Sequence, residues 1–175
     1  MTMEFTMETV YTQTTFTTMA RALRKTIRKK KSKRSHIFGW LVVVLGAVLL
    51  FAVHLNGTSI KPSTIVTVTA MAAIVLVTFF EDQINGYVAL KRTMPGTAQM
   101  TATFHAEGFH TVTEIGNTDW NYDKILHIAE TPEYFVFIFS VNHAQLHDKR
   151  TISGGTAEAF RSFIEMKTGK TVELI

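Results

Sequence analysis

The chain has no cysteine among its 175 residues, which excludes disulfides and thiolate metal sites. No Asp, Glu, Lys or Arg occurs between Ser35 and Ile60, and none occurs from Pro62 to Phe80. Chemical motifs are missing too. The seven histidines include no His-Glu-x-x-His pair, so no helical zinc site is encoded. Gly154-Gly155 lacks the lysine and the strand-to-helix frame of a phosphate loop and reads as a turn. No local nucleophile motif supports a Ser-His-Asp set. The sequence therefore assigns no catalytic residue, no metal ligand and no cofactor, and what it encodes is architecture.

What is present is unevenly distributed. Nine of the 18 Lys and Arg residues fall between Arg21 and Arg34, while the other nine face all 14 acidic residues. The basic character belongs to one segment, and the remainder is mildly acidic. Directly after that segment, Ile37 to Val53 contains twelve Ile, Leu, Val or Phe residues. At the bilayer centre these favour insertion by roughly 4 to 7 kcal/mol, and the stretch is long enough to cross a core of about 30 Å. Pro62 to Phe80 is a second, weaker block with four threonines, whose hydroxyls can bond back to helical carbonyls. A cleaved signal peptide is disfavoured, because Val53-His54-Leu55 offers no small-x-small site and a second apolar block follows.

The short piece "HLNGTSIKPS" turns the two blocks into an antiparallel hairpin, with Asn56-Gly57 as the turn signal. Asn56-Gly57-Thr58 also matches a glycosylation acceptor, but so close to a membrane it reads as the turn. Lys61 is the only basic residue of that loop, against nine before the first block and Lys91 and Arg92 after the second. The positive-inside bias then expects a multi-pass inner-membrane protein with both termini in the cytoplasm. Arg24, Lys25, Arg28, Lys29, Lys30, Lys31, Lys33 and Arg34 are the candidate contacts to anionic headgroups, each worth about 1 kcal/mol near such a surface. Nucleic acid is disfavoured as a partner, because no aromatic residue is interleaved among these cations. Phe16, Met19 or Ala20, Leu23 and Ile27 recur at helical steps, predicting an amphipathic helix before the first span. Gly39 with Gly46, and Ser63, Thr67, Ala70 and Ala73, form stripes of small residues that favour packing between the spans over self-association. Glu81 and Asp82 read as a solvated interface at the inner end of the second span.

Past Phe80 the pattern stays helical to about Arg92, and Pro95-Gly96 breaks it. Met100, Ala102 and Phe104 alternate with polar residues as a strand. Phe109 and Val112 start a second, ending near Gly116-Asn117, and "DWNYDKILHIAET" reads as a third. "EYFVFIFS" is apolar on both faces and should be central, and "AQLHDKRTI" is a fifth strand. Thr156 caps a helix carrying Phe160, Phe163 and Ile164, which Gly169 stops, and "KTVELI" is a last short strand. "MEFTMETVY" is a further strand candidate able to join this sheet. The fold class is thus an α+β membrane protein. Its parts are an N-terminal strand and basic helix over 1–35, a transmembrane hairpin over 36–92 with spans at about 36–55 and 62–80, and an antiparallel β-rich domain over 97–175 closed by a C-terminal helix. Trp120 is the expected aromatic anchor of that domain's core.

Asp119-Trp120, Ile125, Glu130-Thr131, Tyr134-Phe135, Lys149-Arg150 and Phe160-Arg161 occur in an order that resembles the YcxB-like family of bacterial membrane proteins. The resemblance implies two membrane spans followed by a small β-rich domain similar to pleckstrin-homology folds, with no established reaction to transfer. The family pattern has an apolar-Pro pair before the lysine, where this chain has His147-Asp148. Function is expected to be noncatalytic: a membrane-anchored binding or regulatory module, with Lys149 and Arg150 as candidate ligand contacts. The expected partners are an anionic bilayer and a protein or a second copy of the chain. The alternatives are a membrane enzyme acting on lipid and an oligomeric pore or membrane-stress protein.

Overall fold

The computed structural model describes residues 4–55 and 61–175. The Asn56-Gly57 turn and the glycosylation acceptor lie outside the described residues. The chain is α+β, with two four-stranded sheets, a C-terminal helix against them, and two long apolar helices.

The first strand, β1 (Phe5–Val10), buries Phe5, Met7 and Thr9 and turns Glu8 and Val10 outward, the period of two that a half-buried strand requires. It pairs antiparallel with β2 (Gln99–Phe104), so the N-terminus enters a sheet built mainly by residues some 90 positions later. β2 continues to β3 (Gly108–Thr113) and β4 (Gly116–Asn121) in the order β1-β2-β3-β4. The second sheet has the order β7-β6-β5-β8, from β5 (His127–Glu130), β6 (Tyr134–Ser140), β7 (His143–Asp148) and β8 (Val172–Leu174). The sheets are stitched where β1 passes the end of β7. Thr6 and Ser153 exchange backbone hydrogen bonds of 3.1 and 2.9 Å there. Gly154 follows with φ +87°, a conformation open to glycine, and a Cβ on it would collide with the Glu4 carbonyl.

The central strand β6 is apolar on both faces because both faces are covered. Phe135 and Phe137 point into the core between the sheets, with Phe5, Phe104, Phe109 and Phe160. Tyr134, Val136 and Ile138 point the other way, against Met19, Ala22 and Leu23 of α1 (Gln13–Lys25). That contact is where the amphipathic stripe goes. Thr12 caps α1 in a reciprocal box with Thr15, with hydrogen bonds of 3.4 and 2.7 Å. α5 (Ala157–Thr168) starts at Thr156 and ends at Gly169 in the left-handed conformation, and inserts Phe160, Phe163 and Ile164 into the core.

α1 stops at Lys25, and α2 (Lys29–Leu55) begins after a break at residues 26–28, so the basic run is divided between two helices. α3 (Pro62–Phe79) runs back beside α2. Gly39 faces Ile74 and Thr78, Gly46 faces Met71, and Trp40 meets Phe79 edge-on. α4 (Glu81–Lys91) then lies along α1. The two helices meet backbone to backbone, since a Cβ on Gly86 would stand 2.8 Å from the Thr17 Cα.

Four sequence expectations are corrected. The second strand of the domain ends at Thr113, short of Gly116-Asn117, because the chain reverses there and Gly116 already opens β4, which pairs back onto β3. The stretch expected as a third strand is two strands in different sheets, separated by a 3-10 turn at Tyr122–Lys124. The fifth strand ends at Asp148, and Lys149–Thr151 form another 3-10 turn. The last strand, β8, pairs parallel with β5, so the second sheet is mixed.

Candidate functional site

Three elements converge on one buried carboxylate. Glu130 ends β5 with an inward side chain that is 2% exposed. Lys149, from the turn after β7, donates to its Oε1 at 2.6 Å, and Arg161, from α5, donates to both oxygens at 2.6 and 2.7 Å. Burial alone would raise the Glu130 carboxyl, but the hydrogen bonds from Arg161 and Lys149 outweigh it and hold the group below its ordinary value. The Lys149 ammonium also lies 5.1 Å above the Phe135 ring. Beside this cluster, Asp148 accepts from the Arg150 backbone at 2.9 Å and from its guanidinium at 2.9 and 2.6 Å. Arg150 reaches on to the Tyr134 hydroxyl at 3.1 Å.

A second polar cluster lies where the apolar helices enter the domain. Arg24 grips Asp82 with two hydrogen bonds of 2.7 and 2.6 Å, and Arg21 lies 3.6 Å away. The hydrogen bond to Asp82 holds the Arg24 guanidinium above its ordinary value. Ser32 donates to Glu81 at 3.0 Å, and His36 Nε2 lies 2.7 Å from the same oxygen. These contacts pin α1, α2 and α4 together. Asp82 is buried here, contrary to the expected solvated interface.

Residues 104–164 match the family model described as YcxB-like protein. This part of the chain is YcxB-like. No curated protein and no solved structure matches the chain significantly. The YcxB-like segment runs from the last residue of β2 into α5, and the motifs that carried the resemblance all lie within it. Their spacing now has a physical account. Glu130, Lys149 and Arg161 are one ion cluster, Phe135 and Phe160 are in ring contact 5.1 Å apart beneath it, and Tyr134 receives Arg150. Trp120 packs at the margin of the core, stacked on Phe109 and 4.6 Å from Phe139, with its indole N–H donated to Thr111 at 3.1 Å.

The YcxB-like segment also contains this chain's departure, His147-Asp148. Asp148 stands where the resemblance implies a proline, and its backbone N–H donates to Thr9 at 3.1 Å, a bond proline could not make. His147 stands where the resemblance implies an apolar residue. It is fully buried among Phe104, Phe109 and Phe137, and neither ring nitrogen has a hydrogen-bond partner among the described residues. Burial pushes its pKa down to about 3, so the ring is neutral.

The predicted site residues separate into groups. Arg24 is tied to Asp82, and Arg28 donates to the Val141 carbonyl at 2.6 Å and to Asn142 at 2.7 Å. Lys25, Lys29, Lys30, Lys31, Lys33 and Arg34 form no ion pair among the described residues, and all six are exposed. Lys149 is committed to Glu130, whereas Arg150 keeps a side chain 60% exposed. No group of three or more His, Asp or Glu side chains is arranged to hold a metal among the described residues. Sequence reasoning missed Glu130 as the hub and Asp82 as a buried partner. The available signal was a carboxylate inside an otherwise apolar strand end, accompanied in the same motif set by Lys149 and Arg161.

Proposed function

We propose that this protein is an integral protein of the bacterial inner membrane. In this reading α2 and α3 cross the bilayer as a hairpin, and the two-sheet domain is held at the cytoplasmic face as a noncatalytic binding or regulatory module. The observation that carries the reading is exposure. Both helices are long and apolar enough to cross a membrane, yet their apolar windows are only 6% and 0% buried in the protein. Phe38, Leu49, Phe51, Val66 and Phe79 all stand in the open. A core helix of a soluble protein would hide such residues, and apolar surface of this extent calls for lipid or a partner. The free cations at the start of α2 fit the anionic headgroups of a cytoplasmic leaflet.

The arrangement of two sheets with α5 against them supports the likeness to pleckstrin-homology folds, and so a binding role over a catalytic one. The polar clusters described above point the same way. Their charges are satisfied within the protein and tie elements together, as structural ion pairs do. Alkaline carbonate extraction of native membranes tests the reading. The full chain is expected to stay in the membrane pellet; release into the supernatant would refute it.

A further inference from the structure

Where α1, α2 and β8 meet, the surface folds into an open groove of about 780 Å³. Its two ends differ chemically. Lys29, Lys33 and Ile37 follow one another at steps of four on α2, and Trp40 comes three residues later, so all four share one helical face. Cations occupy the first turns of that face, and exposed apolar side chains occupy the turns about 6 to 10 Å further along the axis. Lys25, from the end of α1, adds a third cation, and Leu174 of β8, 77% exposed, forms an apolar wall opposite. None of the three lysines forms an ion pair among the described residues. Glu173 supplies the one acidic side chain of the lining, and it lies 3.6 Å from His127 of β5.

We infer that this groove is a binding site for a single anionic phospholipid. The phosphate lies among Lys25, Lys29 and Lys33, and the start of an acyl chain follows Ile37 and Trp40 toward the bilayer. The inference rests on the proposed membrane insertion of α2, which aligns this face along the bilayer normal with the cations at the headgroup level. It goes beyond a diffuse basic patch, because it specifies one stoichiometric lipid and a wall made by β8 of the folded domain. A lipid there would touch α1, α2 and β8 together and couple the orientation of the domain to the charge of the leaflet.

Native mass spectrometry of the full chain in detergent, titrated with phosphatidylglycerol or phosphatidylcholine, provides the test. One phosphatidylglycerol adduct per chain is expected, with at least tenfold weaker retention of phosphatidylcholine. Lys29→Gln with Lys33→Gln should weaken the adduct about tenfold. Leu174→Asp, which keeps every lysine, should weaken it as well. Lys124→Gln with Lys170→Gln removes the same net charge away from the groove and should leave it unchanged. Equal retention of both lipids, or an adduct indifferent to the Lys29 and Lys33 substitutions, overturns the site. Carbonate extraction of the same variants separates the two proposals. Chains that stay in the membrane place the failure in the groove, and chains that wash off place it in the membrane reading.

Discussion

The departure at His147 has consequences that can be measured one residue at a time. An imidazole with two unpaired nitrogens in a phenylalanine core costs stability that an apolar residue of similar size would not. His147→Leu is therefore expected to stabilise the domain by about 1–2 kcal/mol at neutral pH, read from denaturant midpoints. The pH dependence follows from the same residue. Its folded pKa, about 3, lies below the ordinary 6.5, so the unfolded chain binds the extra proton first. Stability is complete above pH 6.5 and falls as the pH drops toward 3, by at most about 1.4 kcal/mol per pH unit. His143, also lowered by burial, adds a smaller share in that range. Glu130 and Asp148 act in a lower window. Their folded pKa values are depressed, so their contribution persists down to the ordinary carboxylate range and disappears below it. His147→Leu should flatten the stability curve from pH 6.5 downward and reduce the loss as far as about pH 3, while the carboxylate share of the loss at acid pH stays in place. An unchanged slope in the upper window would show that His147 is not buried as described. The sequence identified position 147 as a departure but not its burial, because a histidine in a strand reads the same whether it faces solvent or core.

At the scale of elements, sequence legibility followed periodicity. The alternation in β1 and β2, the cap and stop of α5 at Thr156 and Gly169, and the two-sided apolarity of β6 are local patterns, and the structure reproduces them. The divisions that were missed depend on distant partners. Asn121 and His127 are six residues apart in sequence, but their strands belong to different sheets, and only the 3-10 turn between them redirects the chain. The ion cluster was illegible for the same reason, since Glu130, Lys149 and Arg161 become neighbours only once β5, β7 and α5 are assembled. The seam between α1 and α4 is another contact of this kind, and it depends on Gly86. Gly86→Leu should drive the helices apart, with a packing cost of about 1–3 kcal/mol. Faster hydrogen exchange of the α1 amides should report the loss. Gly116→Ala, where an added Cβ meets nothing, is the matched control. Equal exchange in both variants would contradict the close approach.

At the scale of the molecule, two bodies of opposite character are joined through α1. The domain buries a cluster of phenylalanines between two sheets, and α2 and α3 leave large apolar side chains exposed. Arg24 and Asp82, with Ser32, Glu81 and His36, fasten the junction, so the domain and the apolar hairpin are coupled at charged hydrogen bonds. If the hairpin crosses a bilayer, Lys61 and the sheet domain are on opposite sides of it. The absence of cysteine makes this directly measurable, because any introduced thiol is the only one in the sequence. The decisive measurement is labelling of Lys61→Cys and Lys170→Cys variants with a membrane-impermeant maleimide, in cells with a permeabilised outer membrane and an intact inner one. The proposed topology predicts that Cys at 61 reacts in those cells and that Cys at 170 reacts only after lysis. Labelling of position 170 before lysis, or equal labelling of both positions, would contradict it.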